Sequence, residues 1–270
     1  MREQTFDAIL HFAGFKAVGE SVANPLKYYE NNIGSTVSLL KAINATTSTT
    51  PPKVIFSSSA TVYGSSTELP LTESSKTGEG ITNPYGFTKF VCERILSDAT
   101  VANPGFQAMA LRYFNPIGAH ESGRIGEDPA GIPNNLAPYI TQVASGKLSE
   151  LSVFGDDYNT PDGTGIRDYI HVMDVAEGHV AALSLSEPGF HAVNLGTGQG
   201  TSVFELLKAF EKVVGKPIPF TVATRRPGDI ATCYADTSLA KLLLGWSSTR
   251  EITEACADAW RWQSQNPKGY

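Results

Sequence analysis

Tyr85 and Lys89 are the two residues of this sequence whose types and spacing are best suited to acid–base chemistry. They lie four residues apart at the start of a segment, 85–96, that predicts an amphipathic helix, so the phenol and the ammonium would share one face. A tyrosine that works as a base near pH 7 needs about 4 kcal/mol in favour of its phenolate, and a neighbouring ammonium acts in that direction. This spacing also arises by chance, so the pair alone is weak evidence.

Three consecutive serines, Ser57, Ser58 and Ser59, end a short apolar segment that begins at Lys53. Such a segment predicts a buried parallel strand, and open α/β sheets bind their ligands at the carboxyl ends of the strands. A serine hydroxyl at that edge could hold a substrate hydroxyl while Tyr85 moves its proton. The serines could equally do no more than finish the strand, and only the combination with the Tyr–Lys pair favours a catalytic role.

A second group of candidate residues lies in loop-like sequence of the second half: Arg167, Arg225, Arg226 and Asp229. Guanidinium groups match phosphate oxygens, and a carboxylate can accept hydrogen bonds from ribose hydroxyls, so a nucleoside diphosphate would suit these residues. Arg225 and Arg226 could also be a solvated pair. Phe154 ends a predicted strand and could either flank a base or fill the core.

The elements that must position these residues alternate between strand and helix in the first 116 residues. Segments 6–12, 53–58 and 106–114 predict strands, and Pro25 is suited to begin a helix that reaches about Asn44. This order predicts an α/β fold with a doubly wound parallel sheet. We expect residues 1–116 to form this domain, together with some later segments, and residues 117–270 to form mainly a smaller mixed α/β domain.

The second half begins with predicted loops at 117–135 and then mixes helices and strands. One predicted helix begins at Pro133, and the others span 174–185, 202–214, 236–244 and 251–263. The predicted strands span 151–154, 167–172, 191–195 and 218–222. The glycines from Gly196 to Gly200 suggest a dinucleotide loop, but Thr201 follows where that pattern needs glycine. We therefore expect a tight structural turn there.

The composition excludes several classes of protein. A net charge of −6 argues against a nucleic-acid or anionic membrane surface. Three widely spaced cysteines, Cys92, Cys233 and Cys256, with five scattered histidines, predict neither a disulfide framework nor a metal site. There is no run of 18 apolar residues and no apolar signal-peptide core. We expect a cytoplasmic protein in a reducing compartment.

Seven motifs together resemble those of the UDP-glucose 4-epimerase family, within the extended short-chain dehydrogenase/reductase superfamily. They are HFAGFKAVGES (11–21), SSSATVYG (57–64), NPYG (83–86), LRYFNP (111–116), GIPNNL (131–136), DGTGIRDYIHVMD (162–174) and RPGD (226–229). The resemblance runs from Phe6 to Tyr270.

The resemblance implies an NAD-dependent inversion at C4 of a UDP-hexose, which interconverts UDP-galactose and UDP-glucose in galactose metabolism. Tyr85 would be the base, and hydride would leave C4 and return to the other face of a 4-keto intermediate. Lys89 would lower the pKa of Tyr85 and hold the nicotinamide ribose, while Ser59 would bond to the reacting oxygen. Family members are commonly homodimers.

The resemblance also implies ligand contacts for the two predicted domains. The NAD contacts would be Phe12, Ala13, Gly14, Lys16, Asn31, Ser57, Tyr85, Lys89 and Tyr113. The UDP-sugar contacts would be Ser59, Tyr85, Asn115, Asn135, Leu136, Phe154, Arg167, Arg226, Asp229 and Cys233. Residues 1–116 would thus bind NAD, and residues 117–270 would mainly bind the UDP-sugar.

Two details of the resemblance refine the expected reaction. Dehydratases of the superfamily carry Asp-Glu after the serine, where this chain has Ala60 and Thr61, so elimination of water lacks its acid. Cys233 lies four residues after Asp229, at a position beside the 2-substituent of the sugar that is tyrosine in some members. Because cysteine leaves more volume, we expect UDP-N-acetylhexosamines to be accepted as well.

The chain departs from the family pattern at its start. The first strand, the Gly-x-x-Gly-x-x-Gly turn and the acidic residue after the second strand have no counterpart in this sequence. The expectation is a truncated reading frame or fragment that binds NAD poorly and aggregates through an open strand edge near Ile9. The alternative from another class is a non-catalytic protein that binds UDP-sugars.

Overall fold

The computed structural model describes residues 6–45, 51–129, 131–226 and 228–270. Within these ranges the chain divides into two compact units. Unit 1 comprises Met1–Tyr113, Gly178–Leu195 and Ser238–Trp246, and unit 2 comprises Phe114–Glu177, Gly196–Thr237 and Ser247–Tyr270. Pro227, in the last of the seven motifs, lies outside the described residues.

The helices and strands of the described residues alternate along most of the chain. In chain order they are β1 (Ala8–His11), α1 (Val18–Ala23), α2 (Pro25–Tyr28), α3 (Gly34–Asn44), β2 (Lys53–Ser59), α4 (Pro84–Ala102), β3 (Gln107–Tyr113), β4 (Asn115–Ile117), α5 (Leu136–Ala144), β5 (Leu151–Phe154), β6 (Ile166–Arg167), β7 (Tyr169–His171), α6 (Val172–Leu183), β8 (Gly189–Leu195), β9 (Thr201–Ser202), α7 (Val203–Val214), β10 (Phe220–Ala223), β11 (Thr232–Cys233), α8 (Ser238–Leu244) and α9 (Ile252–Gln265).

Unit 1 contains a parallel sheet with strand order β1-β2-β3-β8. Its central strands are apolar on both faces because helices cover a parallel sheet on each side. Val54 and Phe56 of β2 pack with Ala108 of β3 against Cys92 and Leu96 of α4. The predicted α/β fold with a parallel sheet is confirmed. Within the described residues, β1 pairs with β2 alone.

The helix predicted from Pro25 to about Asn44 contains a wider turn at Tyr29–Ile33, between α2 and α3. Such a turn inserts an extra residue into the helical phase and is frequent at functional sites. Here the buried Asn32 lies in this turn and bonds through its amide to both backbone groups of Phe15. The sequence pattern missed the wide turn, because its residues are compatible with a regular helix.

Helix α4 begins where its sequence predicts. The side chain of Asn83 accepts a hydrogen bond from the backbone N–H of Gly86 at 2.8 Å, and Pro84 occupies the first helical position. Asparagine at the cap and proline in the first turn are both favoured at a helix N-terminus. This start places Tyr85 and Lys89 one turn apart on the helix, as predicted.

Within its described residues, unit 2 contains three small sheets and a helical core. Strands β10 and β5 pair in parallel, β4 and β7 pair in parallel, and β6 lies between β11 and β9. Helices α5, α7 and α9 contribute Ile140, Leu206, Phe210 and Cys256 to one apolar cluster with Leu151 of β5. The helix predicted to begin at Pro133 begins instead at Leu136.

The glycine turn after β8 is structural, as predicted. The buried carboxylate of Asp168 accepts hydrogen bonds from the backbone N–H groups of Thr197, at 2.8 Å, and Gly198, at 3.0 Å. A Cβ atom on Gly196 would lie 2.5 Å from Oδ2 of Asp168, so only glycine fits there. Burial raises the pKa of Asp168, and these hydrogen bonds act against that rise.

Of the helices in the described part of the chain, none is both long and apolar enough to cross a membrane.

Candidate active site

The predicted Ser–Tyr–Lys set comes together at the carboxyl end of β2 in unit 1. The ammonium of Lys89 donates a hydrogen bond of 2.5 Å to the backbone carbonyl of Ser57 and lies 5.9 Å from the ring centroid of Tyr85. The side chains of Tyr85 and Ser59 are hydrogen-bonded to each other. Ser59 also accepts hydrogen bonds from the N–H and the hydroxyl of Thr61, at 3.2 Å and 3.0 Å. A substrate hydroxyl at this edge would meet both a phenol and a serine.

Burial governs the protonation of this set. It lowers the pKa of Lys89 to about 8, while Cys92 and Glu93 act in the opposite direction. Burial raises the pKa of Tyr85, and the hydrogen bond with Ser59 acts to lower it. The expectation that Lys89 lowers the pKa of Tyr85 is not met here: burial of the phenol raises that pKa, and Ser59, not Lys89, acts against the rise. A phenolate at this site needs a further positive charge nearby.

The residues predicted to contact a cofactor surround the same sheet edge in unit 1. The exposed ring of Phe12 lies 4.8 Å, centroid to centroid, from the ring of His179. The hydroxyl of Tyr113 lies 2.5 Å from Nε2 of His179 and is also hydrogen-bonded to the side chain of Ser57. Burial raises the pKa of Tyr113, so this phenol stays protonated near neutral pH.

The loop after β1 carries the other predicted cofactor residues. Ala13, Gly14 and Lys16 are exposed on it, and a Cβ atom on Gly14 would lie 3.2 Å from the side-chain oxygen of Asn32. The amide of Asn31 donates to the same oxygen at 3.0 Å. Glycine thus lets this loop approach the buried amide of Asn32 closely.

Two residues of unit 1 that sequence reasoning missed hold this region together. Asn32 donates to the hydroxyl of Thr88 on α4 at 3.1 Å, and so joins the loop after β1 to the helix of Tyr85. His179, on α6, contacts both Phe12 and Tyr113. Neither residue has a local sequence signal, because their partners are distant along the chain.

In unit 2 the predicted arginines lie among aromatic rings. The guanidinium of Arg226 lies 4.4 Å from the ring centroid of Phe154, and its Nε lies 3.6 Å from a carboxylate oxygen of Asp229. Arg225 pairs instead with Asp157 at 2.6 Å and lies 4.1 Å from the ring of Tyr158. The arginine pair is therefore not simply solvated, and Arg226 is the member beside Phe154 and Asp229.

Tyr169 is a further residue of this cluster that sequence reasoning missed. Burial raises its pKa to about 12, against the charges of Arg167 and Arg226, so its hydroxyl stays protonated and faces two cations. Arg167 donates to the backbone oxygen of Ile166 at 2.8 Å and is paired with Cys233 across β6 and β11. The cations, the phenol and the ring of Phe154 make a site suited to a nucleoside diphosphate.

Cys233 is buried, and burial raises the pKa of its thiol to about 11, with Arg167 acting in the opposite direction. A thiol in this state is neutral near pH 7 and a poor nucleophile, so it contributes shape rather than reactivity.

The remaining predicted substrate residues lie on other elements of unit 2. Asn115 begins β4, and its N–H donates to the backbone oxygen of Asp168 at 2.9 Å. Asn135 is exposed at the start of α5, where its amide donates to Glu127 at 3.1 Å. Leu136 packs partly against the apolar core of the unit.

A parallel α/β sheet with a Ser–Tyr–Lys set at its carboxyl edge defines a short-chain dehydrogenase/reductase. Residues 1–259 match the family model described as GDP-mannose 4,6 dehydratase. Individual relatives identify the family more specifically. The chain is 58% identical over 270 residues to the UDP-glucose 4-epimerase of Bacillus subtilis (strain 168), and the match covers 99% of this chain and 78% of the relative. It is 55% identical over 264 residues to that of Yersinia enterocolitica, covering 98% and 77%. The chain belongs to the UDP-glucose 4-epimerase family.

Solved structures agree with this assignment. The UDP-glucose 4-epimerase of Bifidobacterium longum, crystallised in complex with NAD+ and UDP, is 55% identical with a TM-score of 0.95, over 99% of this chain and 79% of that one. The enzyme of Stenotrophomonas maltophila, with bound NAD and formylated UDP-arabinopyranose, is 48% identical with a TM-score of 0.93, over 99% and 79%.

The buried ammonium gives a first prediction about stability. Burial lowers the pKa of Lys89 from 10.5 to about 8. The buried charge therefore lowers the free energy of unfolding by about 3 kcal/mol. Lys89→Met removes this charge but also loses the hydrogen bond to the Ser57 carbonyl, which offsets part of the gain. We expect the free energy of unfolding at pH 7 to rise by about 1–3 kcal/mol. Urea denaturation of the purified protein measures it.

The sign follows from the lowered pKa of Lys89. The destabilisation is complete below pH 8, where the folded lysine is charged, and shrinks as the pH rises from 8 towards 10.5. The advantage of Lys89→Met should thus be smaller at pH 9.5 than at pH 7. Lys147→Met, at an exposed lysine, is the control and should change stability little at either pH. A Lys89→Met protein less stable than wild type at pH 7 contradicts the prediction.

Proposed function

We propose that this chain is an NAD-dependent enzyme that interconverts UDP-galactose and UDP-glucose by inversion at C4, as part of galactose metabolism. The observation that carries the proposal is the set of Ser59, Tyr85 and Lys89 at the carboxyl edge of the sheet. Similarity to UDP-glucose 4-epimerases over nearly the whole chain favours this activity over a non-catalytic protein that binds UDP-sugars.

The chemical step needs a group that takes a proton from the 4-hydroxyl and later returns it. Tyr85 does this through its phenol oxygen, and Ser59, which is hydrogen-bonded to Tyr85, holds the reacting oxygen within reach. NAD, when bound, would accept the hydride from C4 and return it to the opposite face, and its cationic nicotinamide ring would supply the further positive charge that a Tyr85 phenolate needs. The Lys89 ammonium stabilises negative charge on Tyr85 as the proton arrives and leaves.

The residues present at the sheet edge of unit 1 fit a nicotinamide and its ribose. Lys89 and Tyr85 offer an ammonium and a hydroxyl, while the exposed ring of Phe12 offers an apolar face. The proposed NAD contacts are Phe12, Ala13, Gly14, Lys16, Asn31, Ser57, Tyr85, Lys89 and Tyr113. His179 supports this set by holding Phe12 and Tyr113.

The UDP part of the substrate is held by unit 2. Arg167 and Arg226 bind the diphosphate, because forked guanidinium groups match its oxygens. Asp229 accepts a bond from the ribose, and Phe154 lies against the uracil. Asn115, Asn135, Leu136 and Cys233 complete the proposed UDP-sugar contacts, with Ser59 and Tyr85 at the sugar.

Elimination of water is not favoured, although the matching family model carries a dehydratase name. The two residues after Ser59 are Ala60 and Thr61, and Thr61 uses both its N–H and its hydroxyl to donate to Ser59. Neither residue can act as a carboxylic acid for the departing hydroxyl. Inversion without elimination is the reaction that these side chains support.

The proposal extends to a homodimer in the cytoplasm, without nucleic-acid or membrane partners. All three cysteines are free thiols, which suits a reducing compartment, and the net charge of −6 suits a small-molecule enzyme. Light scattering of the purified protein measures the oligomeric state.

Tyr85→Phe tests the function directly. Loss of the phenol should lower kcat for conversion of UDP-galactose to UDP-glucose about 10³-fold, because a positioned acid–base group contributes about 10²- to 10⁴-fold. Turnover of the purified chain with added NAD is compared with that of Tyr139→Phe, which should behave like wild type. The proposal would be contradicted if Tyr85→Phe kept near wild-type turnover. It would also be contradicted if the wild-type chain showed no turnover.

Cys233→Tyr tests the size of the sugar pocket. We expect kcat/KM for UDP-N-acetylgalactosamine to fall at least about 10-fold, since the larger ring occupies the space of the acetyl group. The value for UDP-galactose should change less than about 3-fold. Cys233→Ala, which keeps the space, is the matched control. Full activity of Cys233→Tyr on the acetylated sugars would show that the residue at position 233 does not limit the size of the 2-substituent.

Tyr158 gives a prediction about stability. Its hydroxyl is buried and, among the described residues, has no hydrogen-bond partner, while the charges of Asp229, Arg225 and Arg167 act on it. A buried hydroxyl without a hydrogen-bond partner is unfavourable by about 1–3 kcal/mol, so its removal should not destabilise the protein.

Tyr158→Phe should therefore leave the melting temperature of the protein unchanged or raise it. A thermal scan of the purified variant beside the wild type measures the change. A clearly lower melting temperature in Tyr158→Phe would contradict the prediction.

A further inference from the structure

Glu93 is a buried acid on the helix of the catalytic pair, with no part in the chemistry described above. It lies one turn beyond Lys89, so that Tyr85, Lys89 and Glu93 follow each other at intervals of four residues along one face of α4. Its side chain is 5% exposed. A buried carboxylate is strongly unfavourable unless it is paired, so its partners define its role.

Both oxygens of the Glu93 carboxylate accept hydrogen bonds from side chains of two strands. Arg112, on β3, donates from Nε to one oxygen at 3.0 Å and from Nη2 to the other at 2.7 Å. Ser58, on β2, donates its hydroxyl to the first oxygen at 2.5 Å. This forked geometry fixes both distance and angle between α4 and the sheet, more tightly than a single bond would.

The network continues to β8, the strand on the other side of β3. Arg112 donates from Nη1 to the hydroxyl of Tyr63 at 2.9 Å, and Tyr63 donates to the side-chain oxygen of Asn194 on β8 at 2.6 Å. Asn194 in turn donates its backbone N–H to Glu73 at 2.7 Å. The charged pair is thus joined, through the neutral side chain of Tyr63 and through Asn194, to a second acidic residue, Glu73.

Each residue that holds Glu93 is the chain neighbour of a residue in the candidate active site. Ser58 lies between Ser57, whose carbonyl accepts from Lys89, and Ser59, which bonds to Tyr85. Arg112 precedes Tyr113, which bonds to the side chain of Ser57. A shift of the carboxylate would move the helix relative to the strand ends that carry the serines.

We infer that Glu93 is a positioning residue for the proposed epimerisation: its carboxylate clamps α4 to β2 and β3 and holds Tyr85 and Lys89 in register with Ser57 and Ser59. The inference rests on the proposed function. Reacting groups must be held within about 0.5 Å of their productive geometry, so loosening this clamp lowers the rate without removing any group that touches the substrate.

Electrostatics act in the same direction. Burial lowers the pKa of Lys89, and the negative charge of Glu93, like Cys92, raises it. Besides these two groups and Tyr85 on α4, His11 of β1 faces the ammonium, and burial together with Lys89 lowers the pKa of His11. Glu93 therefore helps to keep Lys89 charged near neutral pH.

Glu93→Gln tests the inference, since it keeps the shape of the side chain and removes the charge. We expect kcat for UDP-galactose to fall about 10- to 100-fold, while KM and the Kd for UDP change less than about 3-fold. The alkaline limb of the pH profile should move to lower pH, as Lys89 loses a neighbouring anion.

Glu93→Asp separates position from charge. It keeps the charge but shortens the side chain by one methylene, so it should also lose about 10-fold in kcat while its alkaline limb stays in place. Ile43→Ala, in the apolar core of the same unit, is the control for lost stability and should keep kcat at a comparable drop in melting temperature. A wild-type kcat in Glu93→Asp would overturn the inference that the Glu93 carboxylate positions α4 against β2 and β3.

A readout independent of turnover distinguishes failure of this inference from failure of the proposed function. NMR titration of labelled lysines, with Lys89→Met used for assignment, should show a lower pKa of Lys89 in Glu93→Gln than in wild type. An unchanged pKa together with unchanged kcat overturns the inference, and a wild type without turnover overturns the proposed function alone. If Glu93→Gln does not fold, Ser58→Ala decides: it should lower kcat about 3- to 10-fold with unchanged affinity for UDP.

Discussion

The geometry of the candidate active site depends on one unfavourable placement, the ammonium of Lys89 in the interior of unit 1. A buried charge needs partners from several directions. The Ser57 carbonyl at 2.5 Å, the face of the Phe56 ring at 4.8 Å and the nearby carboxylate of Glu93 provide them. These partners come from β2 and α4, so the same contacts that solvate the lysine also join the helix to the end of the strand.

The start of α4 decides which residues face that lysine. Because Asn83 caps the helix and Pro84 fixes its first turn, Tyr85, Lys89 and Glu93 fall on one face. Sequence reasoning could find the first two, and Ser59 at the end of an apolar strand, because their signals are local. It also found the parallel α/β sheet, since alternation of strands and helices is a local pattern.

The parts that sequence reasoning missed depend on contacts between distant residues. Asn32 and Thr88 are 56 residues apart, His179 and Tyr113 are 66 apart, and Glu93 and Arg112 are 19 apart. None of these pairs has a spacing that a helix or strand would reveal. The direction of the Tyr85 pKa was missed for a related reason, because the sequence shows the neighbouring lysine but not the extent of burial.

The distribution of charge suits a reaction in which the sugar must offer both faces. Hydride leaves one face of C4 and returns to the other, so the hexose cannot be gripped strongly at its ring. Affinity must then come from the nucleotide, and in the proposed function Arg167 and Arg226 of unit 2 are the groups that bind it. In the same proposal, Ser59 and Tyr85 contact only the reacting oxygen of the sugar, each through one hydroxyl. Strong binding away from C4 and sparse contacts at C4 are thus requirements of the same chemistry.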